Sequence, residues 1–370
     1  MNRKWMPIFI LGALSVLWLT PMAVQAQGND FNAHYHRYLF YNLGMSARSA
    51  GMGGAYSALR GGELGLLGNP ASLGFLENRL AILKGDLDEI SGSTSLPSPN
   101  ARGFDSSTSD SNIWSIGAGG AYPFEWGALG LNYNYRDDDR DIGSFDRGTF
   151  DMGMSSEVSR HDISLSAAYR YMDELSFGYR YSYIDWNMDT NITDLTNFGS
   201  LPGVEEEFSG HRNQFGVQYS VNETLMLGLD GYLGLGDWDV NGGSSGDADS
   251  WAVRAGAAWN PLIDLPLLIA FDVKYENREF TGGGTEDDLW GLHLGAEYEV
   301  IENLYLRAGY LFEDFDYTEN SGFGASPSVS GFSGGLGYMY EAISLDYGFL
   351  YTDTGGDGDF MHVFGLVYEF

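Results

Sequence analysis

Apolar and polar residues alternate with a period of two along most of the chain. Between residues 289 and 301, the even positions from 290 onward are Trp, Leu, Leu, Ala, Tyr and Val, whereas the odd positions include Gly, His and Glu. The segment 225–233 repeats this arrangement with leucine at most of its odd positions. Because successive side chains of a strand point to opposite faces, the pattern predicts strands with one apolar face.

The alternation recurs often enough to predict an all-β fold built from fourteen strands. Each predicted strand is bounded by turn residues or by the loss of the alternating pattern. The predicted bounds are Arg79–Ile90, Asn112–Pro123, Ala128–Asp137, Ser159–Tyr171, Leu175–Met188, His211–Val221, Leu225–Val240, Ser250–Trp259, Leu267–Phe280, Leu289–Ile301, Leu304–Tyr317, Val329–Tyr340, Ala342–Asp353 and Phe360–Phe370.

The connections between these strands alternate between short turns, such as 124–127, and longer loops, such as 91–111. This alternation and the even strand number are typical of outer-membrane barrels. A soluble β-sandwich is the alternative, but its outer face would be rich in Lys and Arg. The polar face instead combines Gly, Ser and Asn with charges of both signs, which suits a lumen. We therefore predict a 14-stranded antiparallel transmembrane β-barrel over residues 79–370. The charged residues of this face are Arg180, Asp230, Arg254, Asp272, Lys274, Glu297, Arg307 and Asp346.

Composition agrees with a β fold and excludes several functions. Glycine accounts for 52 of the 370 residues, and it costs roughly 1 kcal/mol at each helix position. The formal charge of −32 argues against a nucleic-acid partner, because phosphate binding needs a basic face. Cysteine is absent, which excludes disulfide scaffolds, thiolate metal sites and Cys nucleophiles. No cofactor and no metal site are predicted.

The two ends of the sequence carry export signals. Arg3 and Lys4 precede an apolar run from Ile8 to Leu19, and small residues at Val24 and Ala26 fit a signal-peptidase site. Residues 1–26 are therefore predicted to be a cleaved signal peptide, with an uncleaved membrane anchor as the alternative. The alternating aromatics that end at Phe370 resemble the signal read by the outer-membrane insertion machinery, which predicts that machinery as a partner.

Acidic residues concentrate in the predicted loops, most densely at Asp137–Asp141 and Asp357–Asp359. Outer-membrane lipopolysaccharide is anionic and bridged by divalent cations, which carboxylate oxygens can share. Two interpretations stay open: the loops share such cations with the lipid, or they form a solvated face that binds nothing.

The stretch between the signal peptide and the first strand, residues 27–78, does not alternate. Its glycines permit close backbone approach and positive φ angles, and an Asn-Pro pair starts a turn. A compact glycine-rich stretch before a barrel predicts a hatch, or plug, inside the lumen. The residues assigned to the structure of this hatch, and not to chemistry, are Gly51, Gly53, Gly54, Asn69, Pro70 and Ala71.

The hatch sequence resembles that of the FadL-type outer-membrane transporters of long-chain fatty acids and other hydrophobic compounds. The resemblance covers roughly residues 47–75 and includes Arg-Ser-x-Gly-Met-Gly-Gly-Ala-Tyr followed by Asn-Pro-Ala-x-Leu. It implies a barrel of fourteen strands with an N-terminal plug. A similar hatch occurs in shuttle components of type IX secretion, so the motif indicates a superfamily more securely than a substrate.

The expected function is passive passage of long-chain fatty acids or other hydrophobic small molecules through the outer membrane. The protein is expected to be a monomer surrounded by membrane lipid and lipopolysaccharide, and not an enzyme. No substrate-binding residue is assigned from the sequence.

Two other functions remain as alternatives. One is a secretion or assembly platform. The other is an outer-membrane hydrolase, for which His161, Ser159 and Asp162 lie in sequence reach of one another near the predicted outer rim.

Overall fold

The computed structural model describes residues 45–94, 107–146, 151–194, 199–200, 204–240, 245–261, 265–280, 285–319, 324–325, 328–353 and 359–370. The predicted signal peptide, residues 1–26, and the first part of the predicted hatch, residues 27–44, lie outside the described residues. Within the described part of the chain, no helix has both the length and the apolar character needed to cross a membrane.

Fourteen long antiparallel strands form one closed barrel. The first strand pairs with the last, so that Leu80 lies opposite Glu369, and every other strand pairs with its two neighbours along the chain. Two-residue segments at Gly199–Ser200 and Gly324–Ala325 add short pairings at the edge. The strands are β1 (Leu80–Thr94), β2 (Ser107–Phe124), β3 (Gly127–Asp146), β4 (Asp151–Met172), β5 (Leu175–Asp194), β6 (Val204–Ser220), β7 (Leu225–Val240), β8 (Ser245–Trp259), β9 (Leu267–Phe280), β10 (Thr285–Ile301), β11 (Leu304–Glu319), β12 (Ser328–Tyr340), β13 (Ile343–Asp353) and β14 (Asp359–Glu369).

The predicted 14-stranded barrel is therefore confirmed, and the two faces of its wall point as the alternation indicated. Trp290 on the outer face is 46% exposed, whereas His293 on the inner face is 3% exposed. The charged residues predicted to line the lumen all lie on the inner face of their strands. An apolar outer face on a closed barrel is the arrangement by which strands cross a membrane, because no backbone edge is left unpaired in lipid.

The barrel has one end with short turns, here called the turn end, and one with longer connections, the loop end. Strand bounds agree closely with the predictions at the turn end. Several strands extend well beyond them at the loop end, as at β4, which begins at Asp151 and not at Ser159.

This extension corrects the assignment of Asp138–Asp141 to a loop, since these residues lie inside β3. Asp137, the first residue of this acidic cluster, is also the last residue of the predicted strand. The prediction failed because the outer face loses its apolar residues there while backbone pairing with β2 and β4 continues. Of the second acidic cluster, Asp359 begins β14, and residues 357–358 lie outside the described residues.

The chain before β1 lies inside the barrel near the turn end. Residues 45–79, here called the inner segment, form helix α1 (Ala47–Gly51), helix α2 (Gly62–Leu67) and a 3₁₀ helix (Pro70–Phe75). Ser46 and Ser49 cap α1 reciprocally. Most of the inner segment is buried, and Arg79 pairs with Phe370, so the segment joins the wall where the chain also ends.

Candidate functional site

The inner segment crosses the lumen and contacts opposite walls. Helix α1 packs against β11 to β14, and the 3₁₀ helix packs against β3 to β6. At many of the places where the inner segment approaches a strand most closely, the inward residue of that strand is a glycine. A Cβ at Gly295 would lie 2.6 Å from the carbonyl oxygen of Met52, and one at Gly228 would overlap that of Ser57. These wall glycines are Gly178, Gly216, Gly228, Gly256, Gly295, Gly309, Gly335 and Gly348.

The glycines assigned to the hatch also lie at close approaches to the wall. Gly51 ends α1 against Gly335. Gly53 and Gly54 have φ angles of 66° and 79°, in the left-handed region that favours glycine. The Nδ1 atom of His293 donates a hydrogen bond of 2.8 Å to the carbonyl oxygen of Gly53. The turn at 53–54 is thus fitted closely to β10.

Asn69 joins the two halves of the inner segment, which are residues 45–60 with α1 and residues 61–79 with α2 and the 3₁₀ helix. Its Oδ1 accepts a hydrogen bond of 3.0 Å from the Ala71 backbone, which caps the 3₁₀ helix that Pro70 begins. Its Nδ2 donates at 2.8 Å to the carbonyl oxygen of Ser57 in the other half. Both assigned neighbours, Pro70 and Ala71, are buried. The side chain of Asn69 is therefore a structural link with no exposed atom to offer a solute.

Asp272 on β9 anchors the middle of the inner segment. The side chain, 1% exposed, accepts hydrogen bonds from the backbone of Tyr56 at 2.8 Å and of Ser57 at 3.0 Å. It also accepts one from the Ser57 hydroxyl at 2.7 Å. Arg254 lies 3.4 Å from this carboxylate and donates to the carbonyl oxygen of Gly54 at 2.7 Å. Both charges lie in the lumen as the alternation predicts, but their partners on the inner segment are not predictable from the local pattern.

A second group of charges holds α1. Arg48 forms two hydrogen bonds to Glu297, at 2.9 and 2.7 Å. Glu297 also accepts from Arg307 at 2.7 Å, and Arg307 reaches Asp346 at 2.6 Å. Hydrogen bonds between charged groups contribute more than neutral ones. This chain of alternating charges therefore connects the inner segment to three strands of the wall.

Burial affects the ionisation of groups on the inner segment itself. It raises the pKa of Tyr56, whose ring lies 4.2 Å under the guanidinium of Arg254. It also raises the pKa of Glu63, and the nearby positive charge of Arg48 opposes this rise. Tyr56 is therefore held neutral, as a packing residue.

The second half of the inner segment is held through its carbonyl groups. Arg180 on β5 donates to the carbonyl oxygens of Gly65 at 2.7 Å and Leu67 at 3.2 Å. Gln214 donates to that of Gly68 at 3.1 Å. The last carbonyls of a helix lack partners within it, so these wall side chains complete the end of α2.

The lumen changes character toward the loop end, where an apolar cluster points inward. In β5, Tyr179 and Tyr183 face outward, but Trp186 faces inward without any register shift in the β5–β6 ladder. Trp186 and Phe208 stack with ring centroids 5.7 Å apart and planes 16° apart. The members of this inward cluster are Val158, Ile184, Trp186, Met188, Phe208, Trp238 and Ala248.

The inward cluster departs from the predicted arrangement, in which each strand has one apolar face that points outward. The sequence does contain a sign of the cluster, because the apolar residues of β5 have odd numbers up to Tyr183 and even numbers from Ile184 onward. Below this cluster lies a small cavity, of about 20 Å³, enough for about one water molecule. Its polar lining includes Arg160, Arg212 and Tyr232.

The residues of the hydrolase alternative are not brought together. His161 faces outward and lies 2.9 Å from the Tyr133 hydroxyl. Asp162 faces inward and pairs with Arg160 at 3.0 Å. Adjacent residues of a strand point to opposite faces, so this pair cannot form a triad with Ser159. In the described part of the chain, no three His, Cys, Asp or Glu residues are grouped to hold a metal ion.

Comparisons with known proteins agree on the fold. No protein-family profile matches the chain, and no curated protein matches its sequence. Among solved structures, it is similar to the toluene transporter TodX of Pseudomonas putida, at 15% identity over 89% of this chain and 99% of the other, with a TM-score of 0.61. The Ralstonia pickettii toluene transporter TbuX matches at 16% identity over 90% and 100%, with a TM-score of 0.60.

A FadL homologue of Pseudomonas aeruginosa matches at 12% identity over 88% of this chain and 98% of the other, with a TM-score of 0.59. At these identities the likeness concerns the fold. The chain therefore has the barrel fold of FadL-type channels, which confirms the resemblance of its sequence at that level.

Proposed function

We propose that this chain is an outer-membrane channel through which long-chain fatty acids or other hydrophobic small molecules pass passively. In this proposal residues 1–26 are a signal peptide, residues 27–78 form the hatch and residues 79–370 form the barrel. The observation that carries it is the division of one lumen into two parts. An inward apolar cluster lies toward the loop end, and the chain's own inner segment fills the turn end.

The barrel wall supports a route through the lumen. In the described strands, the hydrogen-bonded register shifts in three places, between Asp141 and Gly143, between Arg170 and Met172, and between Glu299 and Ile301. All three lie toward strand ends, so the wall between them is continuous. A solute that enters at the loop end then meets the inner segment, which must shift for the solute to leave.

The hatch responds only to a difference in binding between its closed and displaced positions. Each hydrogen bond typically contributes about 0.5–1.5 kcal/mol net, so the hydrogen bonds around Asp272 and Glu297 together stabilise the closed position of the inner segment substantially. Solute binding therefore has to favour the displaced position of the segment. No energy source is required, so net transport follows the gradient of the solute.

The likeness to toluene transporters supports a hydrophobic solute over the two alternatives. The inward cluster is enclosed by the barrel wall, where a folded protein partner of a secretion platform has no access. Its apolar residues also lack the charged groups that hydrolysis requires. We further propose that the barrel is a monomer in outer-membrane lipid and lipopolysaccharide, inserted by machinery that reads the strand ending at Phe370.

A reversible lock tests the proposal. Ala47 Cβ lies 3.4 Å from the position that a Cβ on Gly365 would occupy, near the spacing of ~3.5–4.5 Å found in disulfides. The chain has no cysteine, so Ala47→Cys with Gly365→Cys creates a single pair between α1 and β14. In proteoliposomes without an energy source, uptake of an apolar fluorescent solute should stop on oxidation and return on reduction.

The two single-cysteine variants are the controls, and their uptake should not depend on the oxidant. Equal uptake by the oxidised and the reduced double variant would contradict a hatch that moves at α1. Absence of uptake by the unchanged protein would contradict the channel itself.

A further inference from the structure

We propose that the cavity between Arg212 and the inward cluster binds an aromatic carboxylate. This inference rests on the proposed function and names its substrate class more narrowly. The carboxylate would lie on Arg212, and the aromatic body would lie against Phe208 and Trp186. The neutral hydrocarbons carried by the structural neighbours are a different chemical class.

The first observation is the state of Arg212. Its side chain points into the lumen from β6 and lines the cavity. Among the described residues it forms no ion pair, and its buried Nε atom has no hydrogen-bond partner. The neighbouring cations are satisfied, because Arg160 pairs with Asp162 and Arg180 donates to backbone carbonyls. Arg212 as a whole is partly buried, and its guanidinium carbon lies 5.5 Å from the ring centroid of Tyr232. A partly buried cation without an ion-pair partner is unexpected in a chain with a formal charge of −32.

The second observation is the flat apolar surface beside this guanidinium. The Phe208 ring lies over two inward glycines: a Cβ at Gly210 would be 2.7 Å from it, and one at Gly236 would be 2.5 Å away. The ring of Trp186 is nearly parallel to that of Phe208. Flat, nearly parallel side chains favour a planar body that stacks in an offset manner. A flexible alkyl chain gains less from such a surface.

The third observation is the short distance between the two features. Phe208 and Arg212 are four residues apart on β6, with Gly210 as the inward residue between them. At about 3.3 Å for each residue of a strand, their Cα atoms are separated by roughly 13 Å. A compact molecule with an acid group on its ring system spans this interval. Trp238, at the edge of the cluster, has a buried Nε1 without a partner, which offers a second donor.

A guanidinium is suited to this role because its fork of N–H groups matches a carboxylate in two parallel hydrogen bonds. The cavity is small in the unliganded protein, about 20 Å³. Phe208 covers the glycine floor, so rotation of its ring away from Gly210 and Gly236 is the simplest way to admit the ligand.

Calorimetric titration of the full chain in nanodiscs, with empty nanodiscs subtracted, tests the site. The probes are 2-naphthoate, its neutral counterpart 2-naphthol, and octanoate. We expect 2-naphthoate to bind at least tenfold more tightly than either of the others. Arg212→Gln should weaken 2-naphthoate binding by tenfold or more and leave 2-naphthol binding within twofold. Phe208→Ala should weaken binding of both naphthalene compounds.

Arg170→Gln is the matched control, because it removes the same charge near the turn end of β4, outside the cavity lining. It should leave all three affinities unchanged. Heat-modifiable gel mobility shows whether each variant keeps a folded barrel. Octanoate binding as tight as that of 2-naphthoate would overturn the aromatic assignment. Equal 2-naphthoate affinity in Arg212→Gln and the unchanged protein would overturn the anion site.

Uptake by the same preparations separates this inference from the proposed function. If proteoliposomes take up 2-naphthol but the protein does not bind 2-naphthoate, the aromatic-carboxylate site is wrong and the channel stands. If neither compound is taken up, the channel fails as well. Uptake of 2-naphthoate that is reduced tenfold in Arg212→Gln, with 2-naphthol uptake unchanged, is the result expected from both proposals together.

Discussion

The two ends of the lumen differ in the inward residues of the barrel wall: the turn end fits the inner segment, and the loop end offers a surface suited to a small molecule. At the turn end many of the inward positions that meet the inner segment are glycines, and inward charged residues form hydrogen bonds with that segment. At the loop end the inward positions of β5 and β6 carry Trp186 and Phe208, and Arg212 has no ion-pair partner among the described residues. One end is completed by the chain, whereas the other presents an apolar surface beside a partly buried guanidinium.

This difference gives a way to recognise which part of a lumen is reserved for a ligand. Glycine removes side-chain volume where a backbone must approach closely. Large aromatic residues beside a guanidinium that has no ion-pair partner leave an apolar surface with a strong polar group, which is the common composition of small-molecule sites. The inner segment and the expected solute therefore occupy complementary parts of the same interior.

Removal of residues 28–78 should produce the largest change, because it empties the turn end. The barrel should still fold, since its backbone hydrogen bonds close on themselves. In planar bilayers the shortened protein should conduct small ions, while the intact protein should be almost silent. Unchanged heat-modifiable mobility is the control for folding. Equal conductance of the two proteins would mean that the inner segment does not obstruct the lumen.

The wall was predictable from the sequence because lipid imposes a simple rule on it. Each outward residue in the membrane must be apolar, so period-two alternation located every strand of the barrel. The turn ends agree well because the alternation continues to the turns. Beyond the membrane the outward face is free of this constraint, which is why residues 138–146 of β3 were not included in the predicted strand.

The contents of the lumen were only partly predictable. The inward position of Asp272 followed from the alternation, but its partners Tyr56 and Ser57 are 216 and 215 residues away along the chain. Such contacts depend on barrel closure, which no local pattern encodes. The reversal of parity at Ile184 was visible, yet its meaning required knowledge that the β5–β6 ladder continues without a bulge.

Loss of Asp272 should loosen the turn end without opening it fully. Asp272→Ala leaves two backbone N–H groups and the Ser57 hydroxyl without their acceptor, and it removes the carboxylate that pairs with Arg254. Removal of one partner of a buried ion pair typically costs about 3–5 kcal/mol. In an Ala55→Cys background, the rate of maleimide labelling should therefore rise by roughly 100-fold or more. Ala55 is fully buried, so labelling reports displacement of the segment.

Asp185→Ala is the charge-matched control for this experiment, since Asp185 lies on the outer face of β5. It should leave the labelling rate unchanged. An equal rise in both variants would point to a general loss of barrel stability. No rise in Asp272→Ala would show that the other contacts of the inner segment hold it without this anchor.

Loss of the Asn69 side chain should have the smallest effect, because it removes a link within the inner segment and leaves the wall anchors in place. Asn69→Ala deletes the cap on the Ala71 backbone and the bond to the Ser57 carbonyl. The loss of a capping side chain typically costs on the order of 1 kcal/mol. Labelling at Ala55→Cys should accordingly rise about fivefold to tenfold, and bilayer recordings should show brief openings. Asn187→Ala on the outer face of β5 is the control.

The effect should stay small because the Gln218 side chain also donates to the Ser57 carbonyl, at 2.9 Å. This oxygen therefore keeps a partner, and the two halves of the inner segment should separate briefly without leaving the lumen. If Asn69→Ala instead raised the labelling rate as much as Asp272→Ala does, the link through Asn69 would be as important for holding the inner segment in place as the anchor at Asp272.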